Sequence, residues 1–331
     1  MKKIYIVTFL FLFLLNTTYS QGLIFDSAQF ASRTSVTITR GPLPKVISFK
    51  KYTPIAYPQV GSTCVAHTFA TAMTILTAKK LGYTDKKLIT SLSFSPYYIY
   101  YRNKFNEDIN CLSGLNVENT AKDVLENGFA PLTAVEYPNY YPFTKSALCI
   151  DKKGIDYPPS MQEDEEVASN YKIDEIYTIT TIQQLKTALS RGMPVAVILF
   201  PPPSFLKAKT DLWTPLLSEN LNKNIMAHAV LAIGYDDIKY GGCVEIMNSW
   251  GDTWGNKSFV SIKYKDYAKF FVGGYAFYMK SDRPVKNNTP SEKFTQPQRN
   301  LASPTIISVK TGYGNKTTNF NNSEILKAFK R

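Results

Sequence analysis

The chain is poor in the residues that usually bind metal ions. Its 331 residues include only four cysteines and two histidines. The cysteines stand at positions 64, 111, 149 and 243, never in the CxxC spacing that is typical of zinc sites. The sequence therefore predicts no metal site.

Long apolar runs are also scarce. One run extends from Ile4 to Leu15, behind Lys2 and Lys3, and small or polar residues follow it up to Ser20. It is too short to span a bilayer but matches a secretory signal peptide, here residues 1–20. No cysteine follows the run before Cys64, which disfavours a lipid anchor. We therefore expect an exported protein, extracellular or periplasmic, without stable membrane insertion.

Acidic residues are outnumbered, 26 against 38 basic ones, for a net charge of +12. The stretch from Ser281 to Arg331 holds nine basic and three acidic residues, so about half of the excess lies there. No internal repeat appears, and no basic patch accompanies a nucleic-acid-binding fold. We expect no nucleic-acid partner, and we interpret residues 282–331 as a basic, flexible tail.

Between the ends, helical patterns come first and strand patterns follow. Helices are predicted at 64–80, 96–102, 117–126 and 182–190, and strands at 195–200, 229–235, 243–247, 259–263 and 275–279. An isolated short strand is predicted at 306–309. This order indicates an α+β protein with two lobes and a cleft between them. We assign residues 21–41 to a short leader and residues 42–281 to the folded domain.

Three side chains form a candidate nucleophilic site. Cys64 begins a predicted helix, whose N-terminal field lowers the pKa of a thiol. Of the two histidines, His67 lies in that same helix and is interpreted as structural, whereas His228 begins a strand that can face Cys64 from the other lobe. Asn248 follows twenty residues later, and its amide oxygen can orient an imidazole while Trp250 shields the bond from water. We expect a resting pair of thiolate and imidazolium.

These motifs resemble the papain-like cysteine peptidases, and more closely their bacterial members. The resemblance covers about residues 42–280 and is carried by Gly61-Ser62-Thr63-Cys64-Val65-Ala66-His67, His228-Ala229-Val230 and Asn248-Ser249-Trp250-Gly251. It implies a papain-like two-lobed fold, a peptide or protein substrate, hydrolysis through a thioester with Cys64, His228 and Asn248, and no cofactor. We expect a monomer.

The resemblance also suggests secondary site residues. Gln59 is the candidate side-chain donor to the oxyanion, although it lies one residue closer to Cys64 than in the family pattern. Ala229 and Trp250 are candidate substrate contacts. Gly114 either lets a peptide backbone approach or is a simple turn glycine.

Two departures from the family concern regulation and access. The residues between Gln21 and Gly41 are too few for the long inhibitory leader of many members, so we expect no latency by that device. The segment from Pro201 to Met226 is interpreted as an inserted loop that borders the cleft. Members with a cysteine three positions before the nucleophile form a disulfide that is absent here, where Gly61 holds that position.

The cysteine count limits the disulfides. If Cys64 stays free, at most one intramolecular bridge can form among the other three. Cys111 and Cys149 lie in loop-like surroundings, whereas Cys243 lies in an apolar strand pattern. We propose the pair Cys111 and Cys149.

Two other readings use the same residues. One is an exopeptidase or transpeptidase acting at the same cysteine. The other is a non-catalytic module that binds peptides or surfaces while its site is idle, and the intact Cys, His and Asn set argues against it.

Overall fold

The structure is a computed structural model, and we describe residues 22–56, 58–59, 61–108, 111–134, 161–223 and 225–281. The backbone of two further strands, at 307–310 and 317–320, is also described. Most of the predicted leader, residues 22–41, therefore lies within the described part, whereas the predicted signal peptide lies outside it.

Nine α-helices lie within the described residues. They are α1 (Ser27–Ser32), α2 (Cys64–Leu81), α3 (Lys86–Ser91), α4 (Pro96–Asn103), α5 (Val117–Asn127), α6 (Met161–Ala168), α7 (Ile182–Ser190), α8 (Pro203–Leu206) and α9 (Tyr264–Phe270). Short 3₁₀ turns lie at Lys50–Tyr52 and Lys239–Gly241. The predicted helices are confirmed as α2, α4, α5 and α7.

Local signals explain where these helices begin and end. Ser95 accepts a hydrogen bond from the backbone N–H of Tyr98 at the start of α4. Thr181 and Gln184 form a reciprocal capping box at the start of α7. Helix α2 ends at Gly82, whose φ of +71° is the left-handed conformation that glycine adopts without strain.

The strands are β1 (Leu23–Ile24), β2 (Val46–Ser48), β3 (Leu115–Asn116), β4 (Glu175–Ile179), β5 (Val195–Leu199), β6 (Leu212–Trp213), β7 (His228–Asp236), β8 (Cys243–Met247), β9 (Phe259–Lys263), β10 (Phe271–Tyr278), β11 (Ile307–Lys310) and β12 (Thr317–Phe320). Within the described residues, seven strands follow the order β4-β10-β5-β7-β8-β9-β6, and β2 joins the same sheet on β7. The inner strands β5 and β7 are almost wholly buried, which explains their continuous apolar sequences.

A helical lobe built on α2, α4 and α5 therefore packs against a lobe built on the sheet. Helix α2 contacts both β7 and β5 with its buried residues, and this contact joins the lobes. The architecture confirms the predicted α+β fold with two lobes. It also brings the start of α2 to the start of β7.

Several boundaries differ from the sequence predictions. Strand β10 begins at Phe271 and not at Tyr275, and the segment at 307–310 is not isolated, because it pairs antiparallel with β12. The segment from Pro201 to Met226 is not simply a loop, since it carries α8 and β6.

Candidate functional site

Cys64 is the first residue of α2, and the loop before it is fixed from outside the helix. Gly61 has a φ of +64°, and a Cβ at this position would lie 2.3 Å from the carbonyl oxygen of Cys111. The backbone N–H of Ser62 donates to that same oxygen at 2.8 Å, and the Ser62 hydroxyl donates to Leu112 at 2.7 Å. The residues just before Cys64 therefore pack against residues 111–112, and this contact needs a glycine at position 61.

The described cysteines are of two kinds. Cys64 and Cys243 are free and buried, and Cys111 is disulfide-bonded. Its proposed partner, Cys149, lies outside the described residues. The bonded Cys111 stiffens the loop that supports Gly61 and Ser62.

His228 and Asn248 meet at the adjacent ends of β7 and β8. The Nε2 of His228 lies 2.8 Å from the Oδ1 of Asn248, and that oxygen also accepts the backbone N–H of Ser249 at 2.8 Å. Because an amide oxygen can only accept, Nε2 carries the proton and Nδ1 is left for another partner. Both side chains are buried, with 6% and 2% of their surface exposed.

Trp250 covers this hydrogen bond. Its ring stacks on His228 with centroids 4.4 Å apart and an interplanar angle of 22°. Phe205 of α8 and Trp254 pack edge-on against Trp250. The shield that the sequence suggested is therefore part of an aromatic cluster, and the 201–226 segment contributes to it.

The sulfur of Cys64 lies beside the start of β7. The backbone N–H of Ala229, next to His228, lies within hydrogen-bonding reach of the Cys64 sulfur. One turn further along α2, the Thr68 hydroxyl donates to the carbonyl of Ala229 at 3.2 Å. The fold therefore brings Cys64, His228 and Asn248 into one region between the lobes.

The N-terminal segment covers the sulfur. The Cys64 thiol donates to the carbonyl oxygen of Gly22 at 3.1 Å, and Cys64 is fully buried. A Cβ on residue 22 would lie 2.9 Å from the Ala227 carbonyl and 3.7 Å from the Cys64 sulfur, so only glycine fits this closely. Strand β1 continues from Gly22 and pairs in parallel with β3, directly after Gly114. The leader is too short to be the long inhibitory leader of many members, yet its first described residue lies on the Cys64 sulfur.

This burial keeps the pair neutral. Burial raises the pKa of the Cys64 thiol to about 11, against the opposing effect of nearby backbone N–H groups. Burial also lowers the pKa of His228 to about 4, although the bond to Asn248 acts in the other direction. In the covered form the expected resting pair of thiolate and imidazolium is therefore not the favoured state.

The secondary candidates are placed as follows. Gln59 donates from Nε2 to the Gly61 carbonyl at 2.9 Å and accepts from the Ser249 hydroxyl at 2.6 Å. Its amide thus lies between the loop before Cys64 and the residue after Asn248. Gly114 has a φ of +75° and precedes β3, the strand on which the N-terminal segment lies.

His67 is buried inside the protein, in the same helix as Cys64. Burial lowers its pKa to about 3. Its side chain and Asn248 line a common cavity, together with Thr68, Leu231 and Met247. The neutral, buried histidine agrees with the predicted structural role.

Sequence reasoning missed the residues that cover the site. Gly22 lies on the Cys64 sulfur from outside the three motifs, with Met226 and Ala227 beside it, and Ser249 connects Asn248 to Gln59. A glycine just after the predicted cleavage point, followed by Leu23 and Ile24, is the one available signal, and no periodicity distinguishes it.

The described residues contain neither a cluster of metal-binding side chains nor a helix that could cross a membrane. No group of three or more His, Cys, Asp or Glu side chains there could hold a metal ion. None of the helices in the same part of the chain has the length and apolarity needed to cross a membrane.

Comparison with known proteins places the chain in a family. The model of the papain family cysteine proteases matches residues 79–278, which include His228 and Asn248 and begin after Cys64. Cysteine proteinase B of Leishmania mexicana is 29% identical over 110 residues, 33% of this chain and 24% of that protein. The aligned part thus spans about a quarter of that relative's length.

Solved structures share the fold. Xylellain, a cysteine protease from Xylella fastidiosa, has a TM-score of 0.59 and 22% identity, covering 79% of this chain and 97% of its own. The proform of Amb a 11, a ragweed pollen cysteine protease, has a TM-score of 0.53 and 18% identity, covering 80% and 75%. The family model spans more than half of the sequence, and the chain therefore belongs to the papain family of cysteine proteases.

Proposed function

We propose that the protein is an exported cysteine endopeptidase in which Cys64 is the nucleophile, His228 its acid and base, and Asn248 the residue that orients His228. The observation that carries this proposal is the 2.8 Å bond between His228 Nε2 and Asn248 Oδ1 under the stacked ring of Trp250. That bond commits Nε2, so Nδ1 is the nitrogen that exchanges a proton with Cys64.

The reaction starts once the N-terminal segment has left the sulfur. Water and substrate then reach the pair, the burial that favours neutral groups is relieved, and the Cys64 proton passes to His228. The thiolate attacks the carbonyl carbon of the scissile peptide bond, and the carbonyl oxygen becomes an oxyanion. The backbone N–H of Cys64, at the N-terminus of α2, donates to this oxyanion, with the Gln59 amide as the second donor.

The protonated His228 then gives its proton to the leaving amine, and the C–N bond breaks. A water molecule attacks the resulting thioester while His228 accepts one of its protons. The carboxylic acid product leaves, and the thiol of Cys64 is regenerated.

The substrate crosses the cleft as an extended chain. The support is the N-terminal segment itself, which lies in the cleft as strand β1 and pairs with Leu115 and Asn116. Edge pairing of this kind uses backbone hydrogen bonds and accepts many side chains. Gly114, Ala229 and Trp250 are the proposed substrate contacts.

A matched pair of cysteine variants tests the assignment. Cys64→Ala should abolish peptide hydrolysis, whereas Cys243→Ala should retain it, because both cysteines are free and buried but only Cys64 lies within reach of Ala229, the residue next to His228. Circular dichroism should show an unchanged fold in both variants. Peptidase activity retained by Cys64→Ala would exclude Cys64 as the nucleophile. A capped peptide cleaved internally would identify an endopeptidase rather than an exopeptidase.

Export is tested separately. Expression of the full-length gene with its own N-terminus should yield a secreted protein that lacks residues 1–20, and intact mass measurement reports the cleavage point. Retention of the protein in the cytoplasm would contradict this part of the proposal.

A further inference from the structure

Residues 22–40 fall into two parts that are held in different ways. We call residues 22–25 the plug segment and residues 26–40 the clamp segment. Three contacts hold the plug segment. The Cys64 thiol donates to the Gly22 carbonyl, β1 pairs with β3 over two residues, and the side chain of Leu23 is buried. Asp26 then caps α1 with its carboxylate, which accepts from Ala28 and Gln29 at 2.9 and 3.0 Å.

The clamp segment inserts an aromatic side chain into the sheet lobe. Phe30 is buried and packs edge-on against Tyr275 of β10, with centroids 5.3 Å apart. A Cβ on Gly273 would lie 2.7 Å from Phe30 Cζ, so β10 leaves out a side chain where the ring lies. The sheet is thus shaped to receive this residue of the clamp segment.

The clamp segment also holds the helical lobe. Arg33 donates from Nε and Nη2 to one oxygen of Glu118 on α5 at 3.0 and 2.8 Å. Glu118 is only 6% exposed. An ion pair with a buried partner leaves an uncompensated charge when the other residue is removed, which is costly.

Further along the clamp segment, the backbone pairs with strand β4. Thr178 accepts from the N–H of Val36 at 2.9 Å and donates to the carbonyl of Thr34 at 2.9 Å. The Val36 carbonyl accepts from the side chain of Gln184 at 3.2 Å. The clamp segment is therefore hydrogen-bonded to β4 of the sheet and to α7, as well as to α5.

We propose that only the plug segment leaves the cleft when Cys64 becomes accessible, and that the clamp segment stays bound as a permanent connection between the two lobes. The proposal rests on the proposed function only in that Cys64 is the group to be uncovered. It divides the predicted leader of residues 21–41 in two, since residues 26–40 belong with the folded domain.

The first experiment displaces the plug segment in the full-length secreted protein. Gly22→Val places a side chain against the Ala227 carbonyl and should raise the rate of Cys64 alkylation by iodoacetamide at pH 7 at least about 10-fold, since burial then no longer protects the thiol. The melting temperature should change by no more than about 2 °C. Gly41→Val is the matched control, because a Cβ on Gly41 meets nothing within 4 Å, and it should change neither quantity.

The second experiment loosens the clamp segment. Phe30→Ala leaves a cavity against Tyr275 and should lower the melting temperature by about 5–10 °C, and Arg33→Gln should lower it as well. Neither variant should raise the alkylation rate as much as Gly22→Val does. The intact mass of the alkylated wild-type protein should show that residues 26–40 are still present.

Two results would overturn the inference. One is an alkylated wild-type protein that begins at or after Gly41 and melts at the same temperature as the covered form. The other is a Phe30→Ala variant that melts like the wild type and reacts as fast as Gly22→Val. Neither readout uses peptide hydrolysis, so a Gly22→Val protein that alkylates rapidly but cleaves no peptide would count against the proposed function alone.

Discussion

Acid should destabilise the covered form through its two buried histidines. Burial lowers the pKa of His67 to about 3 and that of His228 to about 4, from 6.5 for an exposed imidazole. The unfolded chain therefore binds more protons than the folded one below pH 6.5. The stability that these neutral side chains contribute is present above that pH and is lost as the pH falls towards 4 and then 3.

The size of the effect follows from these pKa values. Between pH 7 and pH 5 each histidine should lower the free energy of unfolding by about 2 kcal/mol, and the two together by about 4 kcal/mol. Ion pairs with lysines lower the pKa values of Asp211 and Asp237 below the usual 3.8, so the stability that these carboxylates contribute is lost only at a pH below this range.

The perturbation is His67→Gln in a Cys64→Ala background, which prevents self-digestion. Glutamine keeps a polar side chain but binds no proton, so the variant should lose about half of the difference between pH 7 and pH 5, or about 2 kcal/mol. Guanidinium unfolding at both pH values, followed by the fluorescence of the three tryptophans and by circular dichroism, measures the free energy. The disulfide is left oxidised throughout.

Two outcomes would refute the reasoning. If the parent protein is equally stable at pH 7 and pH 5, the histidines are not held neutral by burial. If His67→Gln shows the same pH dependence as its parent, His67 does not carry its share of the effect.

Three further predictions concern the site and the 201–226 segment. Asn248→Ala should lower kcat about 10- to 100-fold in a peptide hydrolysis assay with little change in KM, because His228 loses the acceptor at 2.8 Å; an unchanged kcat would contradict its role. Trp250→Leu should lower kcat by about 10-fold by admitting water to that bond, and a pH–rate profile identical to the wild type would argue against shielding. Glu219→Gln should lower the free energy of unfolding in urea by about 1–3 kcal/mol, because the carboxylate accepts from the N–H and hydroxyl of Ser204 and from the N–H of Leu216. The exposed Glu166→Gln is the control. Equal effects of the two substitutions would contradict this role of Glu219.

The elements that the sequence predicted well are those with strong local signals. Helix α7 matched the predicted limits because Thr181 and Gln184 cap its start, and its apolar residues recur on one face. Helix α5 ends at Asn127 because Gly128 adopts a positive φ. Hydrogen bonds of this kind join neighbouring residues, so the pattern of side chains is enough to place them.

The start of β10 shows why other limits were missed. The predicted strand begins at Tyr275, directly after Gly273 and Gly274, because glycine is a weak strand former when it is considered locally. In the structure these glycines are within the strand, because Phe30, more than two hundred residues away, occupies the space over Gly273. No local sequence pattern predicts a contact between residues so far apart in the chain.

The candidate site also has features that the sequence predicts and features that depend on long-range contacts. The order and spacing of Cys64, His228 and Asn248 were enough to predict that these side chains lie in one region, because an acyl-transfer site needs a thiol, an imidazole and a group that orients it. Their catalytic roles stay a prediction. Whether those groups are charged was decided by the tertiary structure. Gly22 lies on the Cys64 sulfur, removes it from water and makes the neutral pair the stable one, since desolvation penalises charge and depends on everything packed around a group.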